Sequence, residues 1–302
     1  MVIRLEESYM KRNTYLVLLM VLGLAVSSFG LQATAEAGKF RILLSNDDGI
    51  SSLGLEILSK KLMQVAYVDI VAPSRNHSGV GHGLTFDQPF VITPIKQSEK
   101  ENWFAADATP ATCVKIGLEM LLKEKPDLVV SGINKGDNLG VMTFSSGTVG
   151  CAREACFKGI PALAVSLAKE QDPEKERAYL EDTADFMVEL IKEMRERGWK
   201  SGRYLNINYP NLPRQEIKGA LAVRQDTRPY PDYVFRPYFI EGKYFIWYDF
   251  NTIDAGTDEM TDSWRLRNGY ITVTPMTLDQ TDSIALEELK TWKIFREKSS
   301  SH

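Results

Sequence analysis

From Phe40 onward the chain alternates between short apolar runs and longer segments with helical spacing. "FRILLS", "YVDIVAP", "PDLVVSG", "IPALAVS" and "RYLNINYP" have the length and aliphatic content of buried strands. Leu55, Leu58 and Leu62 mark one intervening helix, and "ATCVKIGLEMLL" a second. "GTVGCAREACFKG" gives a third, closed by Gly159. Leu180, Ala184, Met187, Val188, Ile191 and Met194 give a fourth, ending near Gly198. Parallel strands cannot be joined by a tight hairpin and need a crossover, usually helical. The alternation therefore predicts an α/β fold: a mostly parallel sheet with helices on both faces.

After Pro213 the pattern changes. Aromatic residues crowd "RPYPDYVFRPYFIEGKYFIWYDF", which reads as β-hairpins, and "GYITVTPM" is one further strand. Residues 214–290 are read as a C-terminal β-hairpin elaboration on an α/β body spanning 36–302, serving either as an oligomer contact or as plain core. The polar tail after Phe295 is expected to fray.

The first 35 residues carry a different signal. Lys11 and Arg12 precede the apolar run Tyr15 to Val26, and a small-x-small site ends at Ala35. That is the pattern of a secretory signal peptide, and it predicts a periplasmic or secreted protein with no stable membrane span after cleavage. An uncleaved anchor is the alternative, but the run is short for a span of about 20 residues. Met10 is an alternative start, because Met10 to Ala35 contains no acid.

A hydrophobic fraction of 44% supports a full core, and a net charge of −4 argues against binding to a nucleic-acid polymer. The three cysteines, Cys113, Cys151 and Cys156, have no zinc-site spacing and are read as small buried hydrophobes.

In open α/β sheets, ligands gather at the carboxyl ends of the parallel strands. Three polar segments arrive there: Asn46–Asp47–Asp48, "APSRNHSG" from Ala72 to Gly79, and "SGINKGDN" from Ser131 to Asn138. Two adjacent carboxylates at the edge of a core need a cation, N–H donors or solvent. This oxygen-rich set suits a hard divalent ion, Mg²⁺ or Mn²⁺ foremost. The competing reading has Asp48 cap the next helix while Asp47 is solvated. "FSSGTVG" places Ser145, Ser146, Gly147 and Thr148 where a helix begins, which suits an anion; ordinary capping by Ser146 explains the same residues. Asn138 lies in the flexible stretch just before and can reach the same pocket. His77 is a candidate proton donor, and Arg228, Tyr230 and Trp247 are candidates to stack a base or simply to pack.

"ILLSNDDGISSLGLEIL", "VAPSRNHSG", "DATPATCV", "DLVVSGINKGDNLG", "SSGTVGCAREACFKGIPALAVS" and "LNINYPNLP", in that order from Phe40 to Pro213, resemble the SurE family of metal-dependent 5'/3'-nucleotidases. The likeness resumes more faintly at "AGTD" and "GYITVTP". The resemblance implies one divalent metal held by Asp47, Asp48, Ser78 and Asn134, with Asp47 and Asp48 catalytic. It implies that Ser145, Ser146, Gly147 and Thr148 contact the phosphate of a nucleoside monophosphate substrate, and Asn138 is read with them from its place just before that turn. It also implies a Rossmann-like body and a homodimer or homotetramer whose C-terminal hairpins exchange between subunits. Ser74, His82 and Thr112 depart from the family pattern without touching the proposed ligands. Two other readings remain at this point. An exported phospho-ligand binding protein would keep the pocket without turnover. A phosphatase with an aspartyl nucleophile needs D-x-D, which "NDDG" does not supply.

Overall fold

The computed structural model describes residues 40–98, 101–199, 202–229, 233–250 and 256–295. The signal-peptide reading of residues 1–35 and the position of Tyr230 lie outside the described residues.

Strand β1 (Arg41–Ser45) is central. It pairs in parallel with β2 (Tyr67–Pro73) on one side and with β5 (Leu128–Lys135) on the other. The sheet continues past β2 to β4 (Glu101–Ala106) and β3 (Ile92–Gln97), the latter antiparallel at the edge. Past β5 come β6 (Ala162–Leu167) and β7 (Arg203–Tyr209), both parallel. β11 (Ile271–Thr277), antiparallel to β7, and β8 (Ala220–Ala222) complete nine strands. Almost every residue of β1, β2, β5 and β6 is buried, as expected for strands covered on both faces.

The helices form two pairs. Helix α1 (Leu53–Leu62) packs on α4 (Pro173–Arg197), and α2 (Pro110–Ile116) packs on α3 (Gly147–Phe157). Successive strand side chains point to opposite faces. Leu43, Val71 and Val129 join Cys113, Val114, Val149 and Ala152 in the core under α2 and α3. Helix α4 shows why such a segment is helical. Asp172 caps it by accepting from the Glu174 and Lys175 backbone N–H groups, Pro173 occupies its first turn, and Gly198 ends it in the left-handed region at φ 72°. All three cysteines are buried and free, and burial pushes the Cys151 thiol up to about 12.

Only part of the segment 214–290 stands apart from the main sheet. β8 and β11 belong to it, and α5 (Asp262–Arg267) precedes β11. The aromatic stretch alone forms a separate two-stranded sheet, β9 (Tyr233–Ile240) with β10 (Lys243–Phe250). Phe235, Phe239, Tyr244, Phe245 and Trp247 on it are exposed. A last helix, α6, covers Ser283–Lys290. β3 carries no continuous apolar run and is largely exposed, and the apolar part of β4 is only Trp103 to Ala106, so periodicity gives no clear sign of either.

Candidate active site

β1 departs toward β2 and β4 on one side, and the chain later returns to lay β5 on the other side. The order therefore switches at β1, and the crevice beyond its carboxyl end is where such sheets bind ligands. The Asn46–Gly49 turn fills that position. Asn46 is fully buried and locks the turn: its Nδ2 donates to Gly49 O at 3.0 Å and to Ser52 Oγ at 2.7 Å, while its Oδ1 accepts from Gly49 N. Gly49 needs φ 104°, which glycine adopts without strain.

The helix-cap explanation of the paired acids does not hold. Ser52, not Asp48, caps α1, accepting from Leu55 N. Asp47 is not solvated either, being 3% exposed. Its carboxylate instead meets the start of α3. Thr148 Oγ1 donates to Asp47 Oδ1 at 2.5 Å. A β-carbon added to Gly147 would lie 2.7 Å from Asp47 Cβ and 2.9 Å from Oδ2. Only a glycine there lets the helix N-terminus approach this closely, and its partial positive charge faces the carboxylate. Burial still dominates: it raises Asp47 to about 6, with the Asp48 charge adding, against hydrogen bonds from the Thr148 hydroxyl and backbone.

Asp48 faces the other way. Its Oδ2 accepts from Lys135 N at 3.0 Å, at the end of β5, and Asn76 Nδ2 approaches Oδ1 at 3.4 Å. Burial raises its pKa, opposed by the Lys135 backbone N–H and ammonium, with the Glu176 charge adding to the rise. Asn76 also holds the neighbouring loop, its Oδ1 accepting from Ser78 N at 2.8 Å. His77 N donates to Asp47 O at 2.8 Å, so the Ser74–Gly79 loop is stitched along the acidic turn. Ser78 itself is exposed. Asn134 is buried and uses Nδ2 on Gly136 O at 2.7 Å, which leaves its amide oxygen for a cation.

Asp47, Asp48, Ser78 and Asn134 offer oxygen donors throughout. Among the described residues no three or more His, Cys, Asp and Glu side chains gather as a metal cluster. Two carboxylates with neutral oxygens fit a hard cation that keeps part of its water shell. The desolvated, mutually repelling pair at Asp47 and Asp48 is what such a cation would relieve.

The hydroxyls expected near a phosphate have partners within the chain. Ser146 caps α3, accepting from Val149 N at 3.2 Å. Ser145 Oγ donates to Met142 O at 3.0 Å, and Thr148 serves Asp47. Asn138 sits in a buried amide network, donating through Nδ2 to Ser166 Oγ at 2.8 Å and through its backbone N to Asn208 Oδ1 at 2.7 Å. Trp247 lies exposed on the separate hairpin, and Arg228 pairs with Asp226. His77 Nε2 is buried without a hydrogen-bond partner among the described residues, and burial with the Arg75 charge lowers its pKa.

Thr148 thus belongs to Asp47 as a positioning donor. Thr148→Val removes that donor and raises the Asp47 pKa further. The acid limb of the kcat/KM profile is expected to move to higher pH; an unmoved limb would contradict this role.

Asn76 and Lys135 were not singled out in the sequence, nor was Glu154, which settles the His82 departure. Glu154, on α3, is 3% exposed, meets His82 Nε2 at 2.9 Å and accepts from Lys115 Nζ at 3.4 Å. The pair ties the loop after Gly79 to α3, where a β-carbon on Gly150 would strike Gly81 O at 2.6 Å. Thr112 is likewise absorbed, accepting from Thr85 N at 2.8 Å. Burial would raise Glu154, but His82 and Lys115 outweigh it and hold it below its ordinary 4.5. Its contribution is therefore present above pH 4.5 and lost as pH falls through the lower folded value. Glu154→Ala is expected to cost about 3 kcal/mol at pH 7, read by denaturant melts, and less under acid.

A cavity of about 180 Å³ adjoins Asp48 on the side away from α3. It lies between the start of α1, the ends of β5 and β6, and the start of α4.

The fold and this crevice define an α/β protein with a buried acidic pair set against a helix N-terminus. The comparisons narrow the class. Residues 42–232 match the family model of survival protein SurE. The chain is 36% identical over 258 residues to a 5'-nucleotidase SurE of Caldanaerobacter subterraneus, covering 85% of this chain and 99% of that protein. It is 40% identical over 249 residues to the 5'-nucleotidase SurE of Aquifex aeolicus, covering 82% and 96%. The crystal structure of the Aquifex aeolicus SurE protein superposes with a TM-score of 0.70 at 38% identity, covering 83% of this chain and 98% of that one. The chain belongs to the SurE family.

Proposed function

We propose that this chain is an exported, metal-dependent phosphomonoesterase that hydrolyses nucleoside monophosphates, the 5'-esters foremost with the 3'-esters as a further candidate, to nucleoside and phosphate. The relatives that share 36% and 40% of its sequence over nearly their whole length bear the name 5'-nucleotidase, which supports the reaction. The observation that carries the site is the desolvated Asp47 carboxylate, held by Thr148 against the α3 N-terminus and flanked by Asp48.

Asp47, Asp48, Ser78 and Asn134 would hold Mg²⁺ or Mn²⁺. When bound, such an ion polarises a phosphoryl oxygen and lowers the pKa of water. Gly147 keeps the first turn of α3 open at the backbone, where N–H groups favour the phosphate and the charge that spreads over its oxygens. Ser145 and Ser146 fix that turn, and the Asn138 network fixes the loop before it. In the reaction the water oxygen attaches to phosphorus and the bond from phosphorus to the sugar oxygen breaks. The sugar oxygen leaves with a proton.

The exposed aromatic hairpin β9–β10 supports assembly as a homodimer or homotetramer. Among the described residues no helix is long and apolar enough to cross a membrane. A panel of phosphate monoesters, assayed with several divalent ions, tests the reading. Release of phosphate from AMP under Mg²⁺ or Mn²⁺ is expected. Hydrolysis of none of the esters would overturn it.

A further inference from the structure

The two aspartates look to opposite sides. Asp47 turns to α3, through Thr148 and Gly147, whereas Asp48 turns to Lys135 and lines the adjoining cavity. The cavity shares Asp48 with the proposed metal site, so the ester group of a phosphate held there would have this cavity within reach on the side away from α3. The cavity it meets there is built for something specific. Leu53, Ile133, Leu167 and Leu180 supply apolar wall. Glu176 and Lys135 cross it as an ion pair at 2.8 Å, with the Glu176 side chain 17% exposed. The start of α1 closes tightly on β5: a β-carbon on Gly54 would sit 2.2 Å from Ile133 O.

Size selects the occupant. An enclosed cavity of about 150 Å³ holds one benzene ring, so about 180 Å³ matches one substituted ring, with anything larger extending out of its open side. In a nucleotide the group joined to the phosphate is the sugar, and the base lies beyond it. A pentose also matches the chemistry, with C–H faces for the leucines and hydroxyls for a carboxylate and an ammonium.

We propose that this cavity is the leaving-group subsite and seats the pentose ring, leaving the base outside. The assignment rests on the phosphomonoesterase reading above. Discrimination among substrates then follows the sugar rather than the base. Wild-type protein should hydrolyse AMP, CMP and ribose 5-phosphate with kcat/KM values within about tenfold of one another, and methyl phosphate at least about tenfold less well.

The test compares AMP with methyl phosphate on the full chain with Mn²⁺. Leu53→Trp fills the cavity, and Glu176→Gln removes the carboxylate. The ratio of kcat/KM for AMP to that for methyl phosphate is expected to fall about tenfold in the first and severalfold in the second. If Leu53→Trp fails to fold, as its melt would reveal, Glu176→Gln decides. An unchanged ratio in the folded variants overturns the subsite, and so does a wild type that strongly prefers AMP to ribose 5-phosphate. A wild type inactive on every ester overturns the phosphomonoesterase reading itself.

Discussion

Asp47→Asn is expected to lower AMP hydrolysis by roughly a thousandfold, the loss of several kcal/mol of transition-state stabilisation. It should also abolish the rise in melting temperature that Mg²⁺ or Mn²⁺ gives the wild type, because a ligand of the native state stabilises by mass action. The metal-free variant should be no less stable than wild type at pH 7, since it lacks a buried charge repelled by Asp48. The pH dependence has a definite sign. Asp47 has a folded pKa of about 6 against an ordinary 3.8, so between those values the native state keeps a proton that the unfolded chain releases. Metal-free wild type therefore gains stability as pH falls through that window, by about 3 kcal/mol from this group. Asp48 and Asp262 shift in the same direction in both proteins. The difference between wild type and Asp47→Asn isolates Asp47, and chemical denaturation at pH 4.5 and 7 measures it. Identical pH dependence in the two proteins would contradict the desolvated state of Asp47.

Gly147→Ala adds one methyl group, and its effect should fall on activity rather than on folding. The new carbon would stand 2.7 Å from Asp47 Cβ, so either the carboxylate or the first turn of α3 must shift. Displacing a catalytic group by about 1 Å costs on the order of a hundredfold in rate. The backbone at Gly147 is not in the left-handed region, and alanine suits a helix, so stability should change by less than about 2 kcal/mol. AMP hydrolysis and urea melts on the same preparation measure both. Near wild-type kcat/KM would mean that the close approach of α3 to Asp47 has no catalytic consequence.

The sequence made the α/β body readable because its buried strands are continuous apolar runs and its helices carry amphipathic stripes. It placed Asn46, Asp47 and Asp48 at a strand end, and polar loops after the second strand and after β5, which follows from strand order alone. The partners lay beyond its reach. Thr148 reads as a hydroxyl for phosphate, and only the packing of α3 against β1 reveals that it faces Asp47. Glu154 lies within an ordinary helical stretch and gives no local sign that it is buried against His82. Gly147 and Gly54 read as a helix start and a helix residue. Their need for glycine comes from contacts between segments far apart in the chain. Within residues 214–290 the aromatic hairpin and the strand at "GYITVTPM" were legible, whereas the return of β11 to pair with β7 is a pairing no local pattern announces.

The central claim is that Asp47 and Asp48 act together through a divalent cation to hydrolyse a phosphate monoester. Phosphate release from AMP by the purified protein, first treated with chelator and then given Mg²⁺ or Mn²⁺, tests it most directly. The account predicts that chelator stops release and that either ion restores it. Release that continues undiminished in chelator, or that no divalent ion restores, would contradict it.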